Sequence, residues 1–403
     1  MNSFGFMQLI SSFYSRKLPD LMKIQKKGLL AVKIAQHYAL RVDFLSEDMC
    51  AHLSKLYTHS FPVREQKLSD LISDKDFLTT NFISWEETPF SSASVGQVHM
   101  GVLKNGKRVA IKVIREDFKK PFLKDIGNIE LLIFRLGRFW PKFNKIFNPI
   151  GILENIKSYT LDELNLINEY RDTEELRDIK MNYSGVFDLS TLRFQRSYMD
   201  LSSEKVLISQ YIDGVTFDLL LERGKLPYEL LLELFRLHSF YIFKAGVFHG
   251  DLHPGNIILG EDNNIYLIDC AGPSSISPKL QKGLFWFFYY LSRYNYPEAA
   301  RYLNAMSHIE LKDKKFQIFL ARFLDLYSDF TGATVTQVSL TKRMMETIKL
   351  GINSGMDFGN DMFPVIKSLM YLDGMVMKCK PEAVLMDDVR SFTDYLVDYI
   401  PKD

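Results

Sequence analysis

Cysteine is scarce in this chain. Cys50, Cys270 and Cys379 stand too far apart for a disulfide framework or a paired-cysteine zinc site, and a reducing compartment fits that usage. An excess of one charge is missing as well. The 50 basic and 49 acidic residues leave a formal net charge of +1, so no overall field recruits nucleic acid and an anionic partner must be met by a local patch. Long apolar runs are absent too. The most apolar one, Leu284 to Leu291, falls well short of the about eighteen residues that cross a bilayer. The start Met1-Asn2-Ser3-Phe4 carries neither a charged n-region nor a small-residue cleavage site, so the expectation is a cytoplasmic chain without a transmembrane helix. There is no internal repeat, no low-complexity segment and no Gly/Ser or Pro linker. What remains is 403 residues with 47% hydrophobic and 25% charged content, enough for two or three core-bearing units of a folded protein.

Three stretches divide the chain. Residues 1 to about 80 read as helical, with Leu21, Ile24, Gly28, Ala31, Val32, Ala35 and Ala39 recurring at spacings of three and four. From Phe82 the character changes. Ser94 to Val102 alternates as a strand does, Lys104-Asn105-Gly106-Lys107 is a hairpin turn, and Val109 to Val113 is the returning strand. Residues 118 to about 180 read as helical again, and Val206 to Ile212 as a further strand ending at Asp213-Gly214. After that, long helices surround one polar loop and its strand. The expected fold class is α+β: a helical N-terminal extension (1–80), a small sheet-bearing lobe with a helical insert (81–213) and a large helical lobe (214–403).

The polar loop is His249-Gly250-Asp251-Leu252-His253-Pro254-Gly255-Asn256, followed by Asp269 behind the apolar run Ile265 to Ile268. An Asp able to orient a hydroxyl, an Asn five residues on and a second Asp after a strand have the order of a kinase catalytic loop. Mg²⁺ takes hard oxygen ligands, which assigns Asn256 and Asp269 to the metal and Asp251 to the nucleophile. Lys112, in Val109-Ala110-Ile111-Lys112, stands where a kinase lysine meets nucleotide phosphates. The loop before it, Phe90 to His99, has serine and alanine where flexible glycines are expected, so its geometry must differ from that of an ordinary protein kinase. Leu161 to Glu169 reads as one helix whose Glu163 and Glu169, six residues apart, project about 120° from each other. One of them should pair with Lys112 and the other is left for a second cation.

Together these motifs make the chain resemble the UbiB/AarF family of atypical protein-kinase-like proteins over nearly its whole length. Leu30 to Gln36 is similar to the family's Lys-x-Gly-Gln signature, Pro89 to His99 to its alanine-rich loop, Glu163, Asn165 and Glu169 to its Glu-x-Asp helix and later glutamate, and Tyr371-Leu372-Asp373-Gly374 with Pro381 to its C-terminal segment. The resemblance implies a two-lobe protein-kinase-like fold, ATP and Mg²⁺ as cofactors, and an ATPase or unorthodox kinase linked to ubiquinone or other isoprenoid-lipid metabolism. It implies ATP binding by Ser92, Ala93, Ser94, Val95, Gly96, Gln97, Val98, Lys112, Gln210 and Ile212. Lys33 with Gln36 is implied to close the cleft, Glu169 to pair with Lys112 and Glu163 with Lys33, the reverse pairing staying open. Three positions depart: Ala35 for the signature glycine, Asn165 for the acidic residue, and Asp269-Cys270-Ala271-Gly272 for Asp-Phe-Gly.

Two rival readings stand beside this one, the second of them from another class. The loop string also occurs in aminoglycoside and choline kinase relatives, which lack a segment like that around Lys33. A non-catalytic nucleotide-sensing scaffold fits the Asn165 and Cys270 departures. A last segment carries Arg135, Arg138, Lys142 and Lys145 beside Leu132, Leu136, Phe139, Trp140, Phe143 and Phe147. Either this surface meets anionic headgroups, making the chain peripheral to a membrane that holds a lipid or isoprenoid-quinone precursor, or Pro141 splits it into two core helices with a solvated basic edge.

Overall fold

The hairpin around Lys104–Lys107 is the centre of a sheet. The computed structural model describes residues 1–41, 45–58, 65–92, 95–114, 118–139 and 149–402. Its strands are β1 (Phe82–Trp85), β2 (Ser91–Ser92), β3 (Gly96–Leu103), β4 (Arg108–Ile114), β5 (Leu192–Phe194), β6 (Val206–Gln210), β7 (Gly214–Thr216), β8 (Val247–Phe248), β9 (Ile257–Gly260), β10 (Ile265–Leu267) and β11 (Ser274–Ser275). The chain divides into two compact units, Met1–Asp172 with Gln195–Ile212, and Thr173–Phe194 with Asp213–Asp403.

In the first unit five strands form an antiparallel sheet in the order β1-β3-β4-β6, with β2 added to β3. Register sets Lys112 opposite Val98 on one side and Leu207 on the other. Apolar side chains on one face, among them Val109, Ile111, Val113, Leu103 and Ile208, close over Leu68, Ile72, Leu78 and Phe82 as a core. Each such buried aliphatic side chain contributes about 1.5–3 kcal/mol through its removal from water, so the strand bearing Lys112 is among the least yielding parts of the unit.

Helices fill the rest of that unit. Leu29–Ala39, which carries Lys33, buries Leu30, Ala31, Ile34, Ala35 and Ala39. Ala35 is fully buried, so a methyl group fits where the family signature has glycine. The expected single helix over 161–169 is in fact broken: one helix, Pro149–Glu163, ends, and another, Leu166–Tyr183, begins. The break is chemical. Asn165 Oδ1 accepts a hydrogen bond from the Ile167 N–H at 3.0 Å, and the Asn165 carbonyl accepts from the Asn168 N–H at 2.9 Å, the arrangement by which a short amide side chain starts a helix instead of continuing one.

The second unit holds a four-stranded sheet, β5-β10-β9-β7, and the pair β11-β8, with long helices around them. Pairing is antiparallel except for β10 with β5. Strands β5, β7 and β9 escape a sequence reading because each is three or four residues long, too short to display a period. Tyr241–Ala245 forms a π-helical turn that ends at Gly246, whose φ of 75° lies in the left-handed region glycine tolerates. The three cysteines are all free thiols. Among the described residues no helix is long and apolar enough to cross a membrane.

Candidate functional site

Lys112 and Lys33 each meet a carboxylate within the first unit. Lys112 Nζ donates to Glu169 Oε2 at 2.7 Å, with both side chains largely removed from water at 13% and 8% exposure. Lys33 Nζ forms an ion pair with Glu163 Oε2, at 6% and 30% exposure. The helix break places Glu163 at the end of one helix and Glu169 in the first turn of the next, where the helix dipole favours a carboxylate. Sequence reasoning missed Tyr159, one turn before Glu163. Its hydroxyl donates to the Lys33 carbonyl at 3.4 Å, and its ring centroid lies 5.7 Å from the Lys33 ammonium. Burial, with Tyr57 and Glu163 nearby, pushes that hydroxyl well above its ordinary value, so it stays a donor. Gln36 is occupied by its own neighbours: its Nε2 donates to the Leu56 carbonyl at 2.9 Å and its carbonyl accepts from the Tyr57 hydroxyl at 2.7 Å.

The expected phosphate loop is only partly described. Ala93 and Ser94 lie outside the described residues, and Ser92 ends β2 against Gln97. Val95 is buried, and Gly96 approaches the Val113 carbonyl so closely that a Cβ there would sit 2.9 Å from its oxygen. Gln97 turns its side chain inward. Its Oε1 accepts from the Gln66 N–H at 3.0 Å, and its Nε2 donates to the Gln66 carbonyl at 2.8 Å and to His99 Nε2 at 3.0 Å. His99 Nδ1 in turn donates to the Glu86 carbonyl at 3.0 Å. Every polar atom of that amide is used, so the Gln97 side chain has none left for a phosphate. Val98 follows in β3, opposite Lys112. At the far end of the sheet the Gln210 N–H donates to the Arg196 carbonyl at 2.7 Å and its carbonyl accepts from Gln195 Nε2 at 2.8 Å, while Ile212 is buried.

In the second unit the polar loop is fastened by four hydrogen bonds. His249 Nδ1 accepts from the Asp251 N–H at 3.0 Å, and its Nε2 donates to the Ile268 carbonyl at 3.1 Å, one residue before Asp269. Asn256 Nδ2 donates to the Asp251 carbonyl at 3.0 Å, and the Asn256 carbonyl accepts from the Ile268 N–H at 3.0 Å. Asp269 itself is held at φ 54°, a left-handed conformation that a non-glycine residue keeps only where its surroundings impose it. Burial pushes the Asp251 carboxyl up, but the Lys367 cation, the Tyr371 hydroxyl and His249 together outweigh it and hold the group below its ordinary value. Lys367, on the helix Met362–Cys379, lies with Nζ 3.3 Å from Asp251 Oδ1. No local pattern in the sequence points to it.

With Nδ2 committed, Asn256 offers its amide oxygen, and Asp269 offers a carboxylate. Among the described residues no group of three or more His, Cys, Asp or Glu is placed to hold a metal alone. A two-oxygen set fits Mg²⁺, which keeps several waters and takes one or two protein oxygens plus substrate phosphates.

Two buried histidines, His249 of the loop and its neighbour His238, respond to pH. Burial, then the neighbouring His249, pushes His238 down to about 3, and burial lowers His249 as well. Both are therefore neutral when folded, while in the unfolded chain they take protons near their ordinary 6.5. Stability is full above that pH and is lost as pH falls below it, by up to about 1.4 kcal/mol per pH unit for each group. Urea titrations at pH 7.5, 6 and 5 are expected to show this decline, and His238→Gln to flatten it. A variant curve with the wild-type slope would exclude His238 as its source.

Residues 62–303, more than half of the chain, match the family described as the ABC1 atypical kinase-like domain. The chain is 25% identical over 399 residues to a protein of Aeromonas salmonicida named probable protein kinase UbiB, covering 94% of this chain and 71% of that one. It is 29% identical over 269 residues to the chloroplastic protein ACTIVITY OF BC1 COMPLEX KINASE 7 of Arabidopsis thaliana, covering 65% of this chain and 37% of that one. Among solved structures, that of the Mycobacterium tuberculosis protein Rv3197 in complex with erythromycin superposes with a TM-score of 0.51 at 18% identity, covering 88% of this chain and 91% of the other, and so shares the fold. With the α+β kinase-like architecture and the fastened loop in place, the match across residues 62–303 establishes that this chain belongs to the ABC1 atypical kinase-like family.

Proposed function

We propose that this chain is a Mg²⁺-dependent atypical kinase or ATPase that binds ATP and releases ADP. The observation that carries the reading is the loop in which His249 ties Asp251 to the residue before Asp269 while Asn256 is pinned to Asp251. Phosphoryl transfer is mostly positioning and charge neutralisation, and such a loop presents a carboxylate for the nucleophile beside two oxygens for the metal. Bound Mg²⁺ would neutralise charge on the nucleotide phosphates. Lys112, held by Glu169, supplies a cation for those phosphates, and the stretch of Ser92, Ala93, Ser94, Val95, Gly96, Gln97 and Val98 is assigned to the nucleotide beside it. Gln210 and Ile212 complete the nucleotide set.

Lys33 is the gating residue of this reading, with Gln36 fastening its helix to Leu56. Its buried pairing with Glu163 favours a UbiB-type protein over a small-molecule phosphotransferase, which has no such segment. The functional division we assign is the extension 1–80, the small lobe 81–213 and the large lobe 214–403. Isoprenoid-quinone or related lipid metabolism as the setting rests on family resemblance. A membrane surface as partner is supported by exposed Leu131 and Phe134 beside exposed Arg135 on the helix Lys119–Phe139, whose buried side is Phe122, Ile126, Ile129 and Ile133. The rest of that proposed surface, Trp140 to Phe147, lies outside the described residues, as do the side chains of Arg138 and Phe139.

Calorimetry with ATP in the presence and absence of Mg²⁺ tests the core of the proposal. Binding is expected to need the ion, and Asp269→Asn to weaken metal-dependent binding by about tenfold or more, since it removes one of the few charged ligands. Equal affinity with and without Mg²⁺ would sink the metal assignment.

A further inference from the structure

We propose that Lys367 is a positioning residue for phosphoryl transfer: from the helix Met362–Cys379 its ammonium, 3.3 Å from Asp251 Oδ1, fixes that carboxylate so that its other oxygen meets the nucleophile. The inference rests on the kinase or ATPase reading above and names a part of that site which no sequence motif contains.

Three observations carry it. First, the two oxygens of Asp251 are not equivalent. Oδ1 is buried on the side of Lys367, although the side chain as a whole keeps 39% exposure, so an incoming hydroxyl or water reaches the carboxylate at Oδ2. Second, the loop His249–Asn256 contains neither lysine nor arginine. His249 is buried and held neutral, and His253 spends its Nδ1 on accepting the Gly255 N–H at 3.1 Å with its ring edge-on to Tyr371 at 5.7 Å. Transfer of a phosphoryl group calls for fixed positive charge close to the reacting oxygens, and Lys367 brings one to this loop from elsewhere in the chain. Third, its own base is rigid. The neighbouring Val365, Ile366, Ser368, Leu369 and Leu372 are buried, and Lys367 itself is only 16% exposed, 5.9 Å from the centre of the Tyr371 ring. An exposed ion pair between two mobile side chains contributes little; here the lysine is anchored and the aspartate is the group that is held.

In the step so arranged, the nucleophile's O–H proton passes to Asp251 Oδ2 as the new O–P bond forms to the γ-phosphorus. The bond from that phosphorus to the β,γ-bridging oxygen breaks, and its electron pair leaves with ADP. Lys367 exchanges no proton. It orients the acceptor.

The test compares Lys367→Met and Lys367→Arg with the wild-type chain, measuring Mg²⁺-dependent ATP hydrolysis, the KM for ATP and the thermal midpoint. A positioning role predicts that Lys367→Met lowers kcat by about 100-fold, the order lost when one preorganised electrostatic group is removed, while KM changes less than about threefold. Lys367→Arg should recover kcat to within about tenfold of wild type, because it restores the charge on a different fork. Turnover in the wild type with kcat unchanged in Lys367→Met overturns the positioning role alone. A kcat loss that Arg does not rescue and that tracks a fall in the thermal midpoint overturns it in favour of a structural ion pair. A wild-type chain without Mg²⁺-dependent hydrolysis overturns both this role and the proposed function.

Discussion

Glu169→Ala is expected to destabilise the folded chain by about 3–5 kcal/mol, the cost of removing one partner from a buried ion pair. The Lys112 side chain is 13% exposed and Glu169 Oε2 lies 2.7 Å from its ammonium, so the variant leaves a cation in a poorly solvated place without this counterion. Desolvation is the larger part of that cost, and it disappears when both charges go. Lys112→Met combined with Glu169→Met should therefore lie within about 1–2 kcal/mol of wild type in urea unfolding, since two well-packed apolar side chains often replace a buried pair at little loss. Activity should be abolished in both variants, because under the proposed function Lys112, held in place by Glu169, supplies the cation for the phosphates. A double variant as unstable as Glu169→Ala would show that the pair stabilises by attraction and not merely by mutual neutralisation.

The second large effect concerns a glycine. A Cβ built on Gly250 would sit 2.4 Å from the Gly272 carbonyl oxygen and 2.9 Å from Ser274 Oγ. The first of these is backbone and cannot swing aside. Gly250 is thus where the loop bearing Asp251 lies directly against the segment after Asp269, and Gly250→Ala must push the two apart. Overpacking of this kind costs about 1–3 kcal/mol of stability. The expected catalytic loss is larger, about 100-fold or more, because displacement by about 1 Å at reacting groups is that expensive. Thermal unfolding and ATP hydrolysis measured side by side check both numbers. Full activity with a normal thermal midpoint would mean that the loop and the Asp269 segment move independently.

Much of this was legible one residue at a time. The turn Lys104-Asn105-Gly106-Lys107 and the strands beside it read correctly to within two residues, since a two-residue period and a glycine turn are local properties. Cys270, in place of phenylalanine, is buried. The helix over 161–169 did not read correctly, because its spacing suits a helix and only the hydrogen bond from Ile167 to Asn165 reveals the break. The resemblance implies Gln97 as a nucleotide contact, and only the folded strand shows that its side chain turns inward to Gln66 and His99.

The sequence by itself determined the elements and the chemistry carried by contiguous residues: the helical first eighty residues, the hairpin bearing Lys112, and the string from His249 to Asn256 with Asp269 beyond the next strand. Those follow from periodicity, turn residues and spacing, which act over a few residues. Tertiary structure decided every partner that lies far along the chain. It chose Glu169 for Lys112 and Glu163 for Lys33, where the sequence left both pairings open. It also brought Lys367 to Asp251 across more than a hundred residues. The physical reason is that a charge in a buried place is stabilised by whichever opposite charge packing brings within about 4 Å, and packing distance bears no relation to distance along the chain.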